Sequence, residues 1–120
     1  MTVSNKDIHA ILIDDDIFQL KLISYQLSSV GIKNIVSCTS GAEALSVLAE
    51  GGGDGVLVFL DLNMPKMDGV EFLDKLKDSN FKGALILVSG EDLRILESTE
   101  RLANSYNLNV LGHFQKPIEA

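Results

Sequence analysis

An open, doubly wound α/β fold is what this sequence predicts, and three observations predict it. Short apolar runs recur along the chain, at 8–13, 56–60 and 84–88. Between the runs lie stretches of helical spacing about 10–15 residues long. The runs also end on polar residues, with Asp14, Asp61 and Ser89 each closing one. Strands and helices in this alternation fold as right-handed βαβ units around a parallel sheet, in a three-layer α/β/α sandwich.

Taken in order, residues 8–13 are the first apolar run and lead into Asp14-Asp15-Asp16. From 17 to 30 the spacing becomes helical. Ile17, Leu20, Leu22 or Ile23, Leu27 and Val30 form a stripe, with Gln19, Lys21, Ser24 and Ser28 elsewhere. Gly31 follows as a candidate C-cap. Residues 34–38, with β-branched Ile35 and Val36, make a second strand that breaks at Thr39-Ser40-Gly41. Ser40 with Glu43 three residues on is a capping-box signature, opening a helix through Ala44, Leu45, Val47 and Leu48.

The glycine-rich 51–55 stretch ends that helix. It leads into Val56-Leu57-Val58-Phe59-Leu60-Asp61, which reads as a strand buried on both faces. After a turn through Pro65 and Gly69, Val70, Phe72, Leu73 and Leu76 mark a third helix that fades near Asn80. Residues 84–88 are a fourth strand ending in Ser89-Gly90. Residues 91–106 are a fourth helix, with Ile95, Leu96, Thr99, Leu102, Ala103 and Tyr106 on one side. A fifth strand at 109–114 precedes Lys116-Pro117.

The composition limits what such a chain can be. Its 120 residues are 46% apolar and 22% charged, which suits a single domain over 1–120 that buries roughly two-thirds of its unfolded surface. No apolar run approaches the ~20 residues of a membrane span, and 1–9 is too polar for a signal peptide. A net charge of −7 argues against nucleic acid as a direct partner. Cys38 is the only cysteine and fits a buried, reduced thiol, so a cytoplasmic location is expected.

The chemistry is expected at the strand ends, because ligands of open parallel sheets sit just beyond the carboxyl ends of the strands. If the strand order is 2-1-3-4-5, Asp14, Asp15 and Asp61 converge. Two bare carboxylates ~4 Å apart repel by about 4 kcal/mol at an effective dielectric of 20. Three of them call for a cation, and all-oxygen ligation selects Mg²⁺ before others. Ser89 and Lys116 lie beyond Asp61 on the other side. A hydroxyl and an ammonium are what a phosphoryl group on Asp61 would need around its oxygens. The set is equipment for an aspartyl phosphate.

Four motifs carry a resemblance: Ile11-Leu12-Ile13-Asp14-Asp15-Asp16, the run 60–69 from Leu60-Asp61 to Asp68-Gly69, Leu87-Val88-Ser89-Gly90, and Lys116-Pro117. In these the sequence resembles the receiver domains of two-component response regulators. The resemblance implies the flavodoxin-like (CheY-like) fold and phosphorylation of Asp61 by a sensor histidine kinase or a phosphotransfer protein. It implies direct Mg²⁺ ligation by Asp15, Asp61 and the Asn63 carbonyl, with Asp14 acting through water. Ser89 becomes the switch hydroxyl and Lys116 the site lysine, while Asn63 and Glu91 stand where receivers set the lifetime of the phosphoform. An output domain or partner reads the switch, with dimerisation left open.

Two departures stand out. His113 occupies the place, three before Lys116, where the family's switch aromatic usually stands, and an imidazole can change charge near neutral pH. Only Ile118-Glu119-Ala120 follow Lys-Pro, so the family's last helix is expected to be cut off, the alternative being that it is absent or replaced; either would bare apolar surface on the sheet. The long fourth helix and the residues 106–112 also resemble receivers joined to cyclic-di-GMP phosphodiesterase (EAL-type) output domains.

Two other readings use the same residues. An aspartyl-nucleophile phosphatase similar to the haloacid dehalogenases wants a second acid two positions after the nucleophile, where Asn63 stands, and a cap domain. A pseudo-receiver that only binds partners would have lost a site residue, and none is lost.

Overall fold

A computed structural model of the chain describes residues 8–51, 55–63, 69–79, 81–90 and 93–115. Among these, nine elements alternate: β1 (His9–Ile13), α1 (Ile17–Ser29), β2 (Asn34–Cys38), α2 (Gly41–Gly51), β3 (Val56–Asp61), α3 (Gly69–Asp78), β4 (Ala84–Ser89), α4 (Leu93–Ser105) and β5 (Asn109–Gln115). The five strands pair in parallel in the order β2-β1-β3-β4-β5. The expected fold is therefore the observed one.

The pleat sorts the apolar side chains onto the two faces of the sheet. On one face Ile11, Ile13, Val58, Leu60, Leu85 and Leu87 meet α2, α3 and α4 through Ala44, Leu48, Phe72, Leu73, Leu76, Leu96 and Ala103. On the other, Ala10, Leu12, Phe59 and Val88 meet Leu20 and Ile23 of α1. Burying each leucine of this kind stabilises the fold by about 1.5–3 kcal/mol relative to leaving it in water.

The helix ends follow local rules. Asp16 caps α1, its Oδ1 accepting the N–H of Phe18 at 3.0 Å and that of Gln19 at 3.4 Å. At its other end Gly31 has φ 97°, and the N–H groups of Gly31 and Ile32 return to Ser28 and Leu27. This is a Schellman termination at the predicted glycine. For α2, Ser40 Oγ accepts the Glu43 N–H at 3.2 Å. The Glu43 carboxylate in turn accepts from Thr39 N–H at 3.0 Å, one residue earlier than in the usual capping box.

Several side chains depart from the predicted helix faces. Ile17 and Val30 are 60% and 58% exposed, whereas Gln19 is buried at 5%. Ile17 and Gln19 flank the Leu20–Ile23–Leu27 stripe on opposite edges, and apolar spacing alone does not say which edge the sheet covers. Val30 falls at the C-cap, beyond the last buried turn. In α4, Ile95 faces solvent while Leu96, Thr99 and Ala103 are buried.

The β4–β5 pairing shifts register between Leu85 and Ile86. Val110 lies opposite Leu85 and Gly112 opposite Ile86, so Leu111 is an extra residue. Such a bulge re-aims every side chain after it.

Candidate functional site

The acidic run after β1 splits into three environments. Asp14 is buried, Asp15 is exposed, and Asp16 is the helix cap already described. Asp14 Oδ1 accepts the Asp16 N–H at 2.8 Å, which fixes the turn between β1 and α1.

Because β1 lies beside β3 with Ile13 opposite Leu60, the next residues of each strand, Asp14 and Asp61, arrive together. Asp61 is 1% exposed. One carboxylate oxygen from each of Asp14, Asp15 and Asp61 lies within 4.8 Å of the others. At an effective dielectric of ~20, each such pair of anions repels by a few kcal/mol. The donors are all hard carboxylate oxygens, two residues buried and one open to solvent. That set fits a small divalent cation that keeps part of its water shell.

The loop after β3 adds Asn63. Its backbone N–H donates to Asp61 Oδ1 at 3.2 Å, and its side-chain Nδ2 donates to Ser89 Oγ at 3.0 Å. Ser89 closes β4 and is fully buried. Leu62 anchors the loop, its N–H reaching Val88 O and its carbonyl accepting from Gly69 N–H.

Of the predicted site residues, Asp14, Asp15, Asp61, Asn63 and Ser89 therefore come together at one end of the sheet. Lys116 and Glu91 lie outside the described residues. His113 points elsewhere. It pairs with Leu87 in register and faces α4, where Nδ1 stands 3.2 Å from Glu100 Oε1. Both side chains are about one-third exposed or less.

Three features escaped the sequence. Asp16 as a cap was signalled by an Asp just before the helical stripe. The Asn63–Ser89 bond spans 26 positions, and the Glu100–His113 pair joins two elements. Neither leaves a local sequence signal. Beside the site, burial, and then the Glu43 carboxylate, push the Cys38 thiol up from 9.0 to about 11.

The family model for the response regulator receiver domain matches residues 10–120. A probable chemotaxis protein CheY of Rhizobium etli is 32% identical over 114 residues, covering 93% of this chain and 84% of that protein. Sporulation initiation phosphotransferase F of Bacillus subtilis is 31% identical over 111 residues, covering 91% and 82%. Among solved structures, a response regulator from Colwellia psychrerythraea superposes with a TM-score of 0.81 at 31% identity, covering 93% of this chain and 86% of that one. Fold, acidic cluster and relatives agree: the chain belongs to the receiver domain family of two-component response regulators.

Proposed function

We propose that Asp61 is the phosphoacceptor of this receiver domain and that its state sets the conformation an output domain or partner reads. The observation that carries this reading is a buried carboxylate at the end of the central strand, with two further carboxylates within 4.8 Å and a buried hydroxyl linked to the same loop.

In the transfer, an Asp61 carboxylate oxygen attacks phosphorus and the bond from phosphorus to the donor breaks. With a phosphohistidine donor the P–N bond is cleaved and the imidazole leaves with a proton. The donor would be a histidine kinase or a phosphotransfer protein. Asp14, Asp15, Asp61 and the Asn63 backbone carbonyl would hold Mg²⁺, which when bound offsets the charge gathered at the site. Burial of Asp61 limits water access to the acyl phosphate. Ser89 Oγ–H is the group on β4 able to donate to a phosphoryl oxygen. Lys116 would supply the positive charge, and Glu91 with Asn63 would tune hydrolysis. The chain thus catalyses its own modification and its reversal rather than turning over a separate substrate. In the resting state His113 is held to Glu100, so motion of β5 against α4 would break that contact.

Acetyl phosphate with Mg²⁺, read by intact mass, tests the reading. The expected result is a gain of one phosphoryl group that needs the metal, is base-labile and is absent from Asp61→Asn. An unmodified parent chain, or a modified Asp61→Asn variant, would overturn it.

A further inference from the structure

Asn63 touches both ends of the proposed switch. Its backbone N–H reaches the phosphoacceptor carboxylate at 3.2 Å and its carboxamide reaches the Ser89 hydroxyl at 3.0 Å. The second bond crosses from the loop after β3 to the last residue of β4. It holds a hydroxyl that is fully buried by an amide on a residue that is exposed. A buried oxygen tied to a solvent-facing loop is restrained by the loop.

We propose that the Asn63 carboxamide is a positioning residue that clasps Ser89 in the resting arrangement, so that the clasp must open before the hydroxyl can reach a phosphoryl group on Asp61. This rests on Asp61 being the phosphoacceptor.

The bond energies set the direction of the effect. An amide-to-hydroxyl bond joins two neutral groups, and its net worth is modest. A hydroxyl donating to a phosphoryl oxygen makes a charge-assisted bond roughly twice as strong. The amide takes a lone pair of Oγ and leaves the hydroxyl proton free, so the two bonds compete only through the position of Oγ. The phosphoryl group prevails by drawing it away, and the clasp lowers that advantage. A ligand that must first open a closed arrangement binds more weakly by the cost of opening. Removing the clasp should then tighten binding of a phosphoryl mimic, even though a contact has been lost. A side chain that merely supported the site would weaken binding when removed.

Beryllium fluoride titrated with Mg²⁺ into the chain, followed by calorimetry, separates these cases. Four proteins are compared: the parent, Asn63→Ala, Ser89→Ala and the double variant. Asn63→Ala should tighten binding by about two- to tenfold, the range of one neutral hydrogen bond. In the Ser89→Ala background the same substitution should change affinity by less than about twofold, because the partner is gone. Asn63→Leu, which keeps the volume and lacks the donor, should behave as Asn63→Ala does.

Equal or weaker binding by Asn63→Ala, in a chain whose parent binds, would overturn the clasp and leave Asp61 as phosphoacceptor. Tightening of the same size without Ser89 would overturn it too, since Asn63 would then act through another group. A parent that binds no beryllium fluoride would remove the phosphoacceptor reading and the clasp with it.

Discussion

Cys38 closes β2 with its side chain fully buried, and its thiol is raised to about 11 by burial first and Glu43 second. The consequence for stability has a definite sign. Below pH 9.0 the thiol is protonated in both the folded and the unfolded chain and contributes no pH dependence. Between 9.0 and about 11 the unfolded chain loses the proton while the folded one keeps it, so stability falls as pH rises. The loss approaches about 3 kcal/mol, at about 1.4 kcal/mol for each tenfold difference in proton affinity between the two states. Urea midpoints measured from pH 8 to 11 should fall more steeply for the parent than for Cys38→Ala. Parallel curves would show that the thiol ionises inside the fold. At this scale the sequence was readable for Asp14, Asp61 and Ser89, because each ends an apolar run. It was not readable for Gln19, whose burial depends on which edge of α1 the sheet covers.

The elements begin and end where side chain and backbone agree. Asn107 terminates α4 at φ 62°, with Asn107 and Leu108 N–H groups returning to Asn104 and Ala103. Asn is among the few residues that adopt this conformation readily. At the start of α3, Gly69 lies so close to Leu62 that an added Cβ would come within 2.8 Å of Leu62 Cα. Replacing a helical glycine by alanine ordinarily stabilises by about 0.5–1 kcal/mol. Here a clash with backbone, which no rotamer change can relieve, should cost about 1–3 kcal/mol and reverse the sign. Gly69→Ala is therefore expected to lower the urea midpoint and to slow modification of Asp61, since Leu62 carries the loop that bears Asn63. A raised midpoint would mean that Leu62 gives way. The strands and most helices were legible because their apolar periods are unambiguous. The extra residue Leu111 in β5 was not, because a bulge depends on the partner strand. If Leu111 paired regularly instead of bulging, His113 would fall opposite Val88 rather than Leu87 and would face away from Glu100.

Across the whole molecule, the two sides of the sheet are unequal. Among the described residues, seventeen buried apolar side chains pack on the side of α2, α3 and α4, and seven on the side of α1. α3 buries Phe72, Leu73 and Leu76, while α1 buries Leu20, Ile23 and the polar Gln19. Local opening follows buried apolar contact, so native-state hydrogen exchange should release the amides of α1 before those of α3 and β3. Equal protection would mean that α1 opens only with the whole domain. The strand order has a further consequence, for the order of events as the chain is made. β1 and β2 leave the ribosome before the other three strands, yet Asp14 gains its partner Asp61 only when β3 docks on the opposite side of β1. Ser89 arrives later still, with β4. A nascent chain carries Asp14 and Asp15 long before it has the third carboxylate of the cluster. The acidic cluster is thus withheld until the middle of the sheet is assembled, and an incomplete chain has no place for a cation to settle.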